Sequence, residues 1–368
     1  MTSTPGAKSV LFLFLLAGAL ARGQHAQVTP AEFTRFPGVS DSSSPALWVD
    51  GKLFVYQSDG SPVRSEGAAP GALANVRAVL FDTYTRPHRW IESVHRDPGG
   101  RIFAWYHHEP GAVCANAPLT APQIGALVST DGGRSFFDLG IVLSSGVAPN
   151  CDARNGYFAG GHGDFSVILD ERREFFYFFF SNYGGGAQEG IAVARMPYSA
   201  RARPVGQVVK YFAGHWSEPG LGGRVTPVIP ATVSWAAVNT DAFWGPSVHF
   251  NTHLQQYVML MTRACCQPGW PPAGIYISFS PDLTNPASWT SPALLLDEPG
   301  WYPQVFGNEA GETDSRAGRT ARLYLGSDSR WQLEFFSGRA PETSRPERRP
   351  RPGAETPTPW RPRRPWMK

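Results

Sequence analysis

"RWIESVHRDPGGRIFAWYHHEP", residues 89–110, decides how this chain is read. An apolar run ends at Arg96-Asp97, turns through Pro98-Gly99-Gly100 and returns through Ile102, Phe103, Trp105 and Tyr106. That is the pattern of a β-hairpin. Glu92 is the anomaly: a carboxylate flanked by Trp90 and Ile91, opening a strand that is otherwise apolar.

The same unit recurs. "DSSSPALWVDGKLFVYQS" (41–58), "GDFSVILDERREFFYFFFS" (163–181), "WGPSVHFNTHLQQYVMLMTR" (244–263) and "WYPQVFGNEAGETDSRAGRTARLYLGS" (301–327) each pair a marked opening with a strand, a turn and a second aromatic strand. The openings lie roughly 50 to 80 residues apart, room for four strands each. Outer strands are expected within 124–143, 190–198 and 274–289. No window from 30 to 338 sustains an i, i+3, i+4, i+7 apolar pattern, and 39 Gly and 34 Pro punctuate the short runs. The prediction is an all-β chain, a five-bladed β-propeller over 30–338. A two-sheet sandwich is the alternative, but it would not produce equal-sized units that open alike. "STDGGRSF" (129–136) matches an Asp-box turn, with Asp131 accepting turn amides, Gly133 supplying a permissive φ and Phe136 anchoring the hairpin.

With 368 residues, 42% hydrophobic and 17% charged, the chain can bury a large core. Residues 9–21, "SVLFLFLLAGALA", follow Lys8 and end small-x-small, so 1–21 reads as a secretory signal peptide and the mature protein as secreted or periplasmic. Thirteen residues are too few to span a bilayer, and no stable membrane insertion is expected after cleavage. Residues 339–368 carry nine Arg/Lys, three Glu and eight Pro, a composition expected to be a disordered, solvated tail. The basicity of the whole chain, net +3, resides in that tail, and no nucleic-acid partner is expected. Export permits disulfides. Cys114 and Cys151 could pair across a loop; Cys265-Cys266 could form an adjacent ring or stay reduced.

In a propeller the innermost strands start around one axis. Asp41, Glu92, Asp164, the Trp244-Gly245-Pro246 corner and Tyr302-Pro303-Gln304 should therefore converge. Three blades then deliver a carboxylate to one place, and crowded carboxylates cannot all ionise together. Glycoside hydrolysis needs such a division, one acid and one base or nucleophile. The expected partner is a carbohydrate, with Asp41, Glu92 and Asp164 catalytic. His88, Arg89, Trp90, His107, His162, Trp244, Tyr302 and Gln304 are candidate substrate contacts. Against this, a carboxylate opening a strand often caps a turn or pairs with arginine, and Arg89 and Arg96 lie near Glu92 in sequence. No metal ligand set and no cofactor are assigned; the histidines are either buried and satisfied, or a general acid, sugar contacts or ligands of an axial Ca2+ or Zn2+, the last the basis of a third reading as a metal-dependent hydrolase or lyase.

The pattern resembles the five-bladed propeller glycosidases, the arabinanase/β-xylosidase-like group and its levansucrase relatives, chiefly in 163–181 and in "GIYISFSPDLTNPASWTSP" (274–292). The resemblance implies a base or nucleophile from Asp41 and a pKa-tuning, orienting role for Asp164. The group's third residue is a Glu before Gly-Pro that acts as general acid. Here Trp244 stands in that position, so Glu92 or a histidine must supply the proton, or the protein binds glycan without cleaving it. Asp241 is a further candidate.

Overall fold

The structure, a computed structural model, describes residues 24–338. The expected signal peptide and basic tail lie outside the described residues. Five sheets, antiparallel apart from a short parallel edge pair in two of them, follow one another along the chain. Blade one is Ala46–Val49, Lys52–Gln57, Val63–Gly67 and Leu73–Ala78; blade two is Trp90–Arg96, Ile102–His108, Gln123–Ser129 and Ser135–Leu143. Blade three opens with His162–Leu169, Phe175–Asn182 and Gly190–Pro197, blade four with Asp241–Asn251, Gln256–Cys265 and Pro272–Ser280. Blade five combines Pro303–Gly307, Thr320–Leu325 and Asp328–Ser337 with Gln24–Arg35 from the start of the described chain. That early strand pairs from Gln24 against Ser337 to Arg35 against Asp328, so the two ends of the propeller close the ring. It begins upstream of residue 30, where the sequence pattern places the first blade.

The five-bladed propeller expected from the repeat is the fold. Period-2 alternation explains how "FYFFF" (176–180) can be buried throughout. Phe176, Phe178 and Phe180 pack with Phe103 and Trp105 of blade two, whereas Tyr177 and Phe179 pack with Val248, Met259 and Met261 of blade four. Each pair of neighbouring blades shares one such core: blades one and two meet at Phe54, Tyr56, Ile91 and Tyr106, and blades four and five at Val258, Leu260, Leu323 and Phe335. Phe36, Val55, Phe306 and Tyr324 join blades five and one.

The inner strands splay around the axis, so several inner-edge amides lack a ladder partner. Side chains from the preceding blade take them. The N–H of Ile91 donates to Ser58 Oγ (3.0 Å), that of Val167 to Ser93 Oγ (2.7 Å) and that of Val248 to Ser166 Oγ (3.2 Å). Between blades five and one, the buried Gln304 amide accepts from the Ser44 N–H (2.5 Å) and donates to its carbonyl (2.8 Å). These bonds satisfy buried backbone groups and lock neighbouring blades in register.

The Asp-box forms between the third and fourth strands of blade two. Asp131 Oδ1 accepts the N–H groups of Arg134 and Ser135 (both 3.0 Å), which hold its carboxyl down to about 2 against the opposing effect of burial. Phe136 is buried, and Gly133 (φ 78°) sits where a Cβ would strike the Tyr56 hydroxyl. Both cysteine pairs are disulfides, Cys114–Cys151 and Cys265–Cys266. No described helix is long and apolar enough to cross a membrane.

Candidate active site

Each of the inner strands of blades two, three and four breaks register at its opening. The shifts fall between Ile91 and Ser93, between Gly163 and Phe165, and between Trp244 and Ser247. Glu92, Asp164 and the Gly245-Pro246 pair are thus the extra residues of three bulges. A bulged residue is left out of the ladder, and its side chain is re-aimed. Asp164 adopts φ 42°, a left-handed conformation that costs a non-glycine residue about 1 kcal/mol or more. The bulges answer why a carboxylate opens an apolar strand: the strand is broken there to present it.

The acidic residues meet at His107, on the second strand of blade two. Its Nδ1 lies 3.4 Å from Glu92 Oε1 and 3.9 Å from Asp164 Oδ1, and its Nε2 lies 3.4 Å from Glu109 Oε1. The Asp164 N–H donates to Nδ1 (3.1 Å). In the neutral ring Nδ1 is therefore the acceptor and Nε2, 3.4 Å from Glu109, carries the proton. Trp90 closes one side, edge-on to the imidazole at 5.4 Å. Glu92 is also held from blade three, its Oε2 accepting the Phe165 N–H (2.7 Å). Asp164 Oδ2 accepts the Tyr183 hydroxyl. Glu92, His107 and Asp164 are all buried, while Asp41 and Glu109 are partly open to solvent.

The electrostatics follow from burial and crowding. Burial, helped by the Asp164 charge, raises Glu92 to about 7 despite opposition from His107 and the Phe165 amide. Asp164 is raised by burial, with His107, Tyr183 and Tyr302 pulling the other way. Asp41 is pushed well above the ordinary carboxylate range by burial and by the charges of Asp164 and Glu109. Burial opposes charge on His107, but Glu109, Glu92 and Asp164 outweigh it and raise the imidazole. Tyr183 and Tyr302 are held well above their usual values by burial and by Asp164, so both remain neutral hydroxyl donors. The cluster stores protons near neutral pH.

One donor atom each from Glu92, His107 and Asp164 lies within 4.8 Å of the others, as a cation site would require. The set does not fit Ca2+, which takes six to eight oxygens. The lone pair of Nδ1 is already engaged by the Asp164 N–H, and the carboxylates face the Tyr183 hydroxyl and the Phe165 amide. These partners suit proton sharing.

The other sequence candidates divide. Tyr302 (φ 51°) lies beside the cluster, where Asp164, Asp41 and Glu92 all act on it. His88 is half-buried within range of Glu109, which raises it against the dominant lowering effect of burial. Arg89 is turned away, buried on Asp138 Oδ2 (3.0 Å) and the Thr83 carbonyl (3.0 Å). His162 faces the buried Lys210, whose Nζ lies 3.0 Å from its Nε2. Gln304 is occupied by Ser44, and Asp241 by a two-pronged pair with Arg263 (2.8 Å each). Trp244 is buried in an aromatic cluster with Trp270, Trp301 and Tyr302. Glu109 and Tyr183 were not singled out from sequence. Glu109 ends "HHE", directly after the strand that carries His107, and Tyr183 directly follows the second strand of blade three, Phe175–Asn182. A cleft of about 250 Å³ reaches Tyr183 past Gly184, Glu189 and Ser234, bringing solvent-accessible space up to the partner of Asp164.

No protein-family model matches the chain, and no curated protein does. Solved structures match it in shape. The exo-1,5-α-L-arabinanase from a bovine ruminal metagenomic library is 12% identical, with a TM-score of 0.52 over 83% of this chain and 94% of that one. A putative exo-β-1,3-galactanase from Bifidobacterium bifidum s17 is 13% identical, with a TM-score of 0.48 over 83% and 92%. The exo-β-1,3-galactanase of Phanerochaete chrysosporium, solved with β-1,3-galactotriose, is 12% identical, with a TM-score of 0.48 over 85% of this chain and 64% of that one. At these identities the likeness concerns fold: this chain is built as the arabinanase is, on a five-bladed β-propeller.

Proposed function

We propose that this protein hydrolyses glycosidic bonds in an oligo- or polysaccharide outside the cytoplasm. The observation that carries the reading is the convergence of Glu92, Asp164 and Glu109 on one imidazole, with Asp41 in electrostatic range. Carboxyls whose proton affinities are raised can supply the acid that the reaction needs beside a base. Asp41 and Glu109 are the partly open members and meet the sugar; Asp41, whose carboxyl burial and the neighbouring charges hold protonated, supplies the proton that the Trp244 position lacks. Glu109, facing Nε2 of His107 (3.4 Å), takes the base or nucleophile role. Glu92 and Asp164, both buried, are positioning residues that tune His107 and Asp41. The signal-like sequence and two disulfides support an oxidising, extracytoplasmic location.

The test is a screen of arabinans, galactans and aryl glycosides for released sugar, with Asp41→Asn and Glu109→Gln as controls. Each variant should lose at least about a hundredfold in turnover while staying folded. Full activity in both removes the assignment. A second reading, a propeller that binds glycan without cleaving it, is favoured by tryptophan standing at the corner where the resembled group has its acid. Glycan binding with no product after long incubation would select it.

A further inference from the structure

At the hairpin-turn ends of the inner strands lies a separate, wide-open depression of about 570 Å³, lined by Trp48, Arg96, Asp97, the Gly99-Gly100 turn and Arg173. It is remote from the carboxylate cluster. Glu92 and Arg96 sit near opposite ends of one strand, Trp90–Arg96, roughly 13 Å apart at the rise of an extended chain. We propose that this depression is a second carbohydrate site, selective for sugars that carry a carboxylate, such as uronic acids.

Three features carry the inference. Trp48 is a held platform: its indole N–H donates to the Glu312 carbonyl (2.9 Å), which fixes the ring while the side chain stays half-open. The charge is unbalanced. Asp97 is neutralised by Arg101 (2.8 Å) and Arg201 (3.3 Å), so it does not cancel the lining arginines. Arg96 meets only the exposed Asp50 (3.1 Å), and Arg173 lies over the Tyr198 ring with no ion pair among the described residues. Last, Arg173 is held there by an unfavourable backbone. It adopts φ 58° in a turn closed by its N–H on the Asp170 carbonyl (2.9 Å), while Asp170 Oδ1 accepts the Glu174 N–H (2.7 Å). An aromatic face for the pyranose ring beside a guanidinium fork for the carboxylate is the donor set that a uronate needs.

The site does not depend on the proposed hydrolysis, and its test is a binding measurement. Trigalacturonate is titrated against the full chain by calorimetry, with neutral β-1,3-galactotriose and inorganic sulfate as comparison ligands. Saturable trigalacturonate binding is expected, weakened at least about tenfold by Trp48→Ala and by Arg173→Gly, while Asp41→Asn leaves it unchanged. Glycine suits the left-handed turn, so Arg173→Gly removes the guanidinium without endangering the fold. Absence of trigalacturonate binding overturns the proposal, as does undiminished binding in Arg173→Gly. Sulfate binding as tightly as trigalacturonate overturns the sugar assignment, and galactotriose binding as tightly and losing that binding in Trp48→Ala overturns the carboxylate selectivity.

Discussion

The backbone N–H of Asp164 donates to Nδ1 of His107 across the boundary between blades three and two (3.1 Å). In the neutral ring this bond fixes the tautomer, and it ties the bulge of one blade to the second strand of its neighbour. An imidazolium would have to surrender it and turn Nδ1–H toward Glu92. Proton position and blade geometry are therefore linked at one atom.

Asp164→Asn should fold, because asparagine tolerates the left-handed backbone that Asp164 adopts at φ 42°. It loses the charge that acts on Asp41, His107 and Tyr302. Turnover is expected to fall at least about a hundredfold with an unchanged circular dichroism spectrum. Asp164→Val, β-branched at a positive φ, should instead lower the melting temperature.

Glu92 has a folded-state affinity for its proton raised from 4.5 to about 7. A carboxyl raised in this way stabilises the fold below its unfolded value and loses that contribution as pH climbs through the folded value. Between pH 5 and pH 8 the wild type should lose stability on the order of 2 kcal/mol from this group. Glu92→Gln keeps an oxygen for the Phe165 amide but cannot ionise, so its stability should fall less over the same interval. Denaturant midpoints at the two pH values decide it; identical slopes in both proteins would contradict the assignment.

The serine bonds between blades make a purely structural prediction. Ser93→Ala strands the buried Val167 N–H and should cost about 1–3 kcal/mol in urea unfolding. Gln304→Ala removes both bonds to Ser44 and should cost more. Gln304→Ala leaves the bonds of the His107 cluster in place, whereas Ser93 also donates to the Glu92 carbonyl (2.7 Å) inside the bulge, so Gln304→Ala is the cleaner test. A loss of activity larger than the loss of folded protein would show that the blades are not independent of the site.

The disulfide Cys114–Cys151 closes a segment with a sequence separation of 37. Replacing both cysteines by serine should lower stability by roughly 2–4 kcal/mol on the chain-entropy view. Thermal unfolding of the double variant measures it, and an unchanged midpoint would mean that loop packing alone holds the segment.

Most of the fold was legible because it is periodic. Alternation within each hairpin and the recurrence of its opening are local patterns, and both survive in the structure as inner and second strands of five blades. Ring closure by Gln24–Arg35 was not legible, since nothing in that segment records that its partner is the strand reaching Ser337. The convergence of Glu92 and Asp164 followed from radial symmetry, but the bulges that aim them did not, because a bulge is a register difference between two strands. Strand alternation allows only one of His107 and His108 to line a pocket and does not say which; the cluster uses His107. Arg89 and His162 looked like site residues by sequence distance alone. Alternation and burial send one to Asp138 and the other to Lys210. Tyr183 carried no readable signal, since its role depends on a strand end meeting a bulge on the neighbouring strand.

The most direct measurement is the pH–rate profile of sugar release from the glycan that the screen identifies, compared between wild type and Glu92→Gln. A cluster that shares protons through His107 predicts a limb near pH 7 in the wild type, the value to which Glu92 is raised, and its displacement or loss in the variant. Superimposable profiles, or no sugar released by the wild type from any glycan, would contradict it.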